Sequence, residues 1–126
     1  WDDAVDPFED PLERSYGTVL SHIDSGRELP DAVVCTTYPA AVGAVRALRD
    51  RGIEIGPGVA VCSMNVEFPG RYASPSITGL EFPDIEPLLA GAIEWFKQGD
   101  AAWPGEPLIV PAEPSLFIGE STAAGG

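Results

Sequence analysis

Hydrophobic and polar positions change period several times along the chain, and each change marks an element. Leu12, Tyr16, Val19, Leu20 and Ile23 recur at helical spacing, which predicts a helix from Leu12 that Gly26 ends as a left-handed cap. After Pro30 the unbroken apolar run Ala32-Val33-Val34-Cys35 predicts a strand. Residues 40–51 return to helical spacing, with Ala41, Ala44, Val45 and Leu48 on one face and Arg46, Arg49 and Asp50 away from it; Gly52 ends this helix. Gly56-Pro57-Gly58 is a tight turn. Residues 59–64 form a second strand without alternation, the pattern of a strand buried on both faces of a parallel sheet.

Residues 65–76 read as a long loop containing Pro69-Gly70, and a third strand, 77–82, stops at Pro83. Asp84 is placed to cap a third helix whose apolar face is Ile85, Leu88, Leu89, Ala92, Ile93 and Phe96, closed by Gly99. Extended pieces at 108–110 and 116–118 precede a small-residue tail, 121–126, and a short strand at 5–8 is a further candidate. Helices alternating with apolar strands predict an α/β fold with a mainly parallel sheet and flanking helices.

The strand-to-helix junction Val33-Val34-Cys35-Thr36-Thr37-Tyr38-Pro39 is the informative stretch. In open α/β sheets the edge at the strands' carboxyl ends is where ligands bind. Thr37 suits a helix N-cap with Pro39 in the first turn. It also offers a hydroxyl, beside Tyr38, at a helix amino end that favours polar or anionic groups. Asn65 ends the second strand at the same edge, as a turn residue or as a cleft-lining amide able to donate and accept.

Charge narrows the choice of partner. The 126 residues carry 20 acidic against 7 basic side chains, a net charge of −13, and no basic stripe. Direct binding to nucleic acid or to an anionic membrane is not expected, because both need clustered positive charge. The longest apolar run falls far short of the roughly 20 residues of a membrane helix. The acidic residues of the first 13 positions lack ligand spacing, so no metal site is expected, and no cofactor motif or glycine-rich phosphate loop occurs.

Cys35 and Cys62 lie in apolar runs and read as buried free thiols, with a disulfide or metal site as the alternative; free thiols suit a cytoplasmic location. His22 reads as a solvated surface residue. Gly119-Glu120-Ser121-Thr122-Ala123 lacks the strand–turn–helix and later histidine of a nucleophile elbow, so a hydrolase using Ser121 or His22 is a third-class alternative and no catalytic set is assigned.

Several segments, taken in order, resemble one family. They are Pro30-x-Ala32-Val33-Val34-Cys35 leading to Ala41-x-Gly43-Ala44-x-x-Ala47-Leu48, then Gly52-Ile53-x-Ile55 with Val59-Ala60-Val61, then Tyr72-x-x-Pro75-x-Ile77-Thr78-Gly79, Pro83 and the closing Ser121-Thr122. From Ser15 to Thr122 the chain is similar to the carboxyl-terminal part of a LacI/GalR-family transcriptional regulator.

The resemblance implies one subdomain of a periplasmic-binding-protein-like type I fold. Its parts are an acidic lead-in (1–14), a carboxyl-terminal effector-binding subdomain (15–83), a crossover helix and strand belonging to the amino-terminal subdomain (84–111), and a return strand and tail (112–126). It implies a homodimeric cytoplasmic regulator that closes on a small-molecule effector, a sugar, nucleoside or small acid. Operator DNA is then reached only through a helix-turn-helix expected upstream of Trp1. An extracytoplasmic solute-binding protein of the same fold is the alternative.

Carried onto this sequence, the effector contacts are Thr37, Tyr38, Asn65 and Met64, and the dimer face is Ala41, Val45, Leu48, Val66 and Tyr72. The chain departs from the family where Thr37-Tyr38 stands for Asn-Asp, where Ser63-Met64-Asn65 stands for Gly-aromatic-Asp, and where Gly119 replaces a basic residue.

Overall fold

A computed structural model describes residues 10–98 and 113–123. The candidate strands at 5–8 and 108–110 and the closing Gly99 lie outside the described residues. The elements run α1 (Pro11–Asp24), β1 (Ala32–Cys35), α2 (Tyr38–Asp50), β2 (Ala60–Ser63), a 3-10 turn (Phe68–Tyr72), β3 (Thr78–Glu81), α3 (Glu86–Gln98), β4 (Ser115–Phe117) and a last 3-10 turn (Glu120–Thr122).

Local chemistry sets the boundaries. The Asp10 carboxylate accepts from the Leu12 N–H at 2.8 Å and Pro11 occupies the first turn of α1, where its missing N–H costs nothing. α2 starts at Tyr38, earlier than its apolar spacing predicts, because Thr37 caps it and Pro39 sits inside the first turn. It ends in a Schellman motif: Ile53 N–H donates to the Leu48 carbonyl, Gly52 N–H donates to the Arg49 carbonyl, and Gly52 takes φ +70°. The Asp84 carboxylate accepts from Glu86 N–H at 2.9 Å, as expected of the α3 cap.

The strands form one sheet in the order β1-β2-β3-β4, with β1/β2 and β2/β3 parallel. Register divides their side chains into two faces. Cys35, Ser63 and Gly79 form a row that is buried throughout, and Val34, Cys62 and Thr78 form the opposite row. α2 lies along β1 and β2 and packs on α1; Ala41, Ala44, Val45, Ala47 and Leu48 join Val19, Val61 and Ile77 in the core. The approach of α1 to α2 is close enough that a Cβ on Gly43 would fall on the Leu12 carbonyl oxygen.

β2 is not covered on both faces as its lack of alternation predicted, and neither is β1. Val34 is 66% exposed while its neighbour Cys35 is 6% exposed, and Cys62 is half-buried. Both helices of this unit join the core on one side, so burial alternates even where hydrophobicity does not.

The tail reading also changes at its start. Ser121 is fully buried: its hydroxyl donates to the Val61 carbonyl at 2.6 Å and accepts from Thr78 N–H at 2.9 Å. Thr78 Oγ1 meets Gly119 N–H at 2.8 Å and Thr122 Oγ1 at 2.7 Å, which explains why Thr78 is buried on the otherwise open face.

Phe82–Ser115 separates as a second compact unit. Within it, α3 carries Leu89, Ile93 and Phe96 with more than half of each exposed.

Candidate functional site at the strand carboxyl ends

Four sequence-selected residues meet where β1 and β2 end. Met64 N–H donates to the Cys35 carbonyl at 2.8 Å, extending the parallel ladder by one bond. The next residue, Asn65, turns its side chain toward α2, where its Oδ1 accepts from Tyr38 N–H at 3.2 Å. Asn65 is held in turn by Ser63, whose hydroxyl donates to the Asn65 carbonyl at 2.6 Å and accepts from its N–H at 3.4 Å. Ser63 is 4% exposed; the sequence marked it only as a departure from the family pattern and not as a site residue. Its signal was a serine two residues before a loop asparagine, which is common in turns. The loop then crosses β3, where Val66 N–H donates to the Leu80 carbonyl at 2.7 Å. A side chain on Gly79 would collide with the Ser63 carbonyl and with Val66.

Thr37 acts as the cap: its Oγ1 accepts from Ala40 N–H at 3.4 Å, and its carbonyl accepts from Ala41 N–H at 3.1 Å. Tyr38 is half-buried, and a Cβ added to Gly70 in the following loop would come within 3.1 Å of its ring edge. Met64 is 54% exposed. Thr36, next to them in the chain, is also exposed. Just beneath, burial pushes the Cys35 thiol up to about 11, with the nearby Cys62 adding to the rise.

The residues chosen for a dimer face do not behave as one. Ala41, Val45, Leu48 and Val66 are at most 7% exposed and belong to the core of this chain, so they cannot offer side chains to a second copy. The apolar stripe of α2 faces its own sheet and α1 instead. Of that group Tyr72 alone, at 75% exposure, remains at the surface. The hydrolase pair fares similarly: Ser121 is buried and bonded on both sides, and the His22 ring is half-buried with Nε2 3.0 Å from the Glu28 carbonyl oxygen. Cys35 and Cys62 are free thiols, and among the described residues no group of three or more metal-ligating side chains comes together.

A hollow of about 480 Å³ lies away from this edge, lined by Arg49, Ile53, Glu54, Ile55, Pro75 and Glu120, all of which sit outside the strands' carboxyl ends. It is shallow and its Arg49 guanidinium donates to the Ser74 carbonyl at 2.6 Å. The strand-end site is preferred because the residues there are set by the fold's topology.

Comparison with known proteins supplies the remaining context. Residues 4–122 match the family described as periplasmic binding protein-like domain. The HTH-type transcriptional regulator GanR of Bacillus subtilis (strain 168) is 33% identical over 84 residues, 66% of this chain and 25% of that protein. The HTH-type transcriptional regulator GalR of Streptococcus thermophilus is 29% identical over 69 residues, 55% of this chain and 21% of that protein. The chain thus spans about a quarter or less of the length of these relatives. Among solved structures, a putative LacI-family transcriptional regulator from Sanguibacter keddieii DSM 10542 superposes with a TM-score of 0.73 at 27% identity, over 94% of this chain and 43% of that one. The lac repressor dimer bound to operator shares the fold, with a TM-score of 0.70 at 20% identity over 90% of this chain and 33% of the other.

Proposed function

The chain belongs to the periplasmic binding protein-like domain family, and from that premise we propose that it is the carboxyl-terminal part of the effector-binding domain of a LacI-type transcriptional regulator. The observation that carries the reading is the likeness, over 94% of the chain, to a LacI-family regulator at a TM-score of 0.73. GanR and GalR, both HTH-type regulators, support it from sequence and favour it over a solute-binding protein.

In this reading Thr37, Tyr38, Met64 and Asn65 form one wall of an effector cleft, and the rest of the protein supplies the opposite wall and the operator-binding domain. A small molecule bound between the walls favours one closure state, and that bias alters operator affinity through a dimer. Such coupling requires the ligand to bind the two closure states with different affinities. Tyr72 is the residue of the original dimer group that can still reach a partner. The residues act as binding groups, with no catalytic step, and the protein works in the cytoplasm. Among the described residues no helix is long and apolar enough to cross a membrane.

The test uses the full-length protein. Thermal-shift screening against sugars, nucleosides and small acids identifies a binder, and a mobility-shift assay on a selected operator fragment is run with and without it. A binder that shifts the operator dissociation constant several-fold supports the proposal. A protein that binds no duplex DNA selectively, or whose DNA affinity ignores every binder, overturns it.

A further inference from the structure

We propose that Arg71 is a clasp: it joins the segment by which the chain leaves the first compact unit to the segment by which it returns, so that the two yield together. The clasp is independent of the function proposed above, and it needs neither effector nor operator to be seen.

The first unit ends at Glu81 and resumes at Leu116. Glu81 is the last residue of β3, and Phe117 is the last of β4. Arg71 touches both. Its Nε donates to Glu81 Oε1 at 2.6 Å and its Nη2 to Glu81 Oε2 at 2.5 Å, while its guanidinium carbon lies 4.7 Å from the centre of the Phe117 ring. A planar guanidinium can fork onto a carboxylate and lie over an aromatic ring at once, which the compact charge of a lysine does not reproduce. The other ion pairs among the described residues join different places. Arg46–Asp50 and Lys97–Glu94 each lie within one helix, and Arg51–Asp24 links the turn after α2 to α1. A partly exposed ion pair adds little to global stability, so the importance of this one lies in which segments it joins.

Arg71 is carried on a loop that is itself seated. Val66 N–H donates to the Leu80 carbonyl at 2.7 Å, and Ile77 N–H donates to the Gly70 carbonyl at 3.1 Å. Gly70 is buried, and a Cβ on it would lie 2.7 Å from Val66 Cγ1. The loop begins at Asn65, whose Oδ1 accepts from the Tyr38 N–H at the start of α2. A packed stretch of chain therefore runs from α2 to the clasp, and a displacement of that stretch carries Arg71 and both of its partners. Segments tied in this way open as one cooperative unit.

Amide hydrogen exchange on the full-length protein, read by mass spectrometry, tests the clasp. Residues 80–82 and 115–118 report the two segments, and residues 60–63 of β2 serve as the internal reference. Arg71→Gln removes the charge from a partly exposed side chain, and Glu81→Gln removes it from the partner that does not need Phe117. The expected result is that either substitution speeds exchange about ten-fold at both segments, the scale of one lost charge-assisted bond, while residues 60–63 keep their protection. The double variant should exchange no faster than Arg71→Gln alone, because Glu81 acts through Arg71. Faster exchange at one segment only, or at neither, overturns the proposal. So does an equal rise at residues 60–63, which would make Arg71 a residue of general stability, and so do additive effects in the double variant.

Discussion

The Ser121 hydroxyl ties β2 to β3: it donates to the Val61 carbonyl at 2.6 Å and accepts from the Thr78 N–H at 2.9 Å. One side chain from the end of the chain thus completes a bridge between two strands that precede it by 60 and 43 residues. With Ser121 at 0% exposure, no water replaces it easily. Ser121→Ala leaves a carbonyl and an N–H buried without their partner, so a loss of about 1–3 kcal/mol is expected. Urea unfolding checks it; a change within about 0.5 kcal/mol, ordinary for a surface site, would show that the bridge is dispensable.

Two helical glycines, Gly43 and Gly17, should respond in opposite directions. Gly43→Ala drives a methyl into the Leu12 carbonyl and forces α1 off α2, an overpacking expected to cost about 1–3 kcal/mol. Gly17 is exposed in α1 with nothing within 4 Å of an added Cβ, so Gly17→Ala should stabilise by about 0.5–1 kcal/mol through helix propensity. Thermal melts of the two single variants, read against the parent, decide the sign of each.

Acid should weaken the link from α1 to the turn after α2. Arg51 grips Asp24 through two hydrogen bonds of 2.8 and 2.7 Å and holds its carboxyl below the ordinary value of 3.8, the hydrogen bond being the largest cause. Since the folded value is depressed, the stabilisation is complete above 3.8 and is lost as pH falls through the lowered folded value. Asp50, held down by hydrogen bonds from Arg46 and then Tyr16, and Glu81, held down by Arg71, act in the same direction. Asp24 and Asp50 are exposed and Glu81 is half-buried, so the effect should shrink in high salt, most at the first two. NMR titration should find the Asp24 carboxyl returning toward its ordinary value in Arg51→Gln; an unchanged midpoint would exclude Arg51 as the cause.

Cys35 should be inert in the native state. Burial raises its thiol to about 11, so at pH 8 it remains a neutral thiol, and the thiolate is the reactive species. Iodoacetamide should reach Cys62, which is half-buried, before Cys35, which is labelled only on unfolding. Mass spectrometry after a timed reaction reads the order; equal native labelling of both would contradict the buried position.

Much of the fold could be read from local pattern, and particular residues show why. Gly26 and Gly52 adopt positive φ where helices end, and the Thr37 and Asp84 caps fall where helices begin. Each depends on neighbours within a few residues, so the chain itself specifies them. The meeting of Thr37, Tyr38, Met64 and Asn65 was also foreseeable, because a strand leading into a helix puts that junction at a known edge of a parallel sheet.

What the sequence alone determined, then, is the order of the elements and most of their caps, which helix faces are apolar, and that the sheet is mainly parallel. Tertiary structure decided what each apolar face meets. Ala41, Val45, Leu48 and Val66 look alike whether they cover a partner or their own core, and only the packing of α2 on the sheet and α1 assigns them to the core. Val34 and Cys35 are similar in hydropathy, yet one is exposed and one buried, because register and helix placement break the symmetry. Asn65 has two hydrogen-bonding ends, and its fold-imposed bond to Tyr38 N–H decides which of them faces α2. Hydrophobicity states that a residue favours burial and polarity that it needs a partner; the identity of that partner is a long-range property, set only when the chain closes on itself.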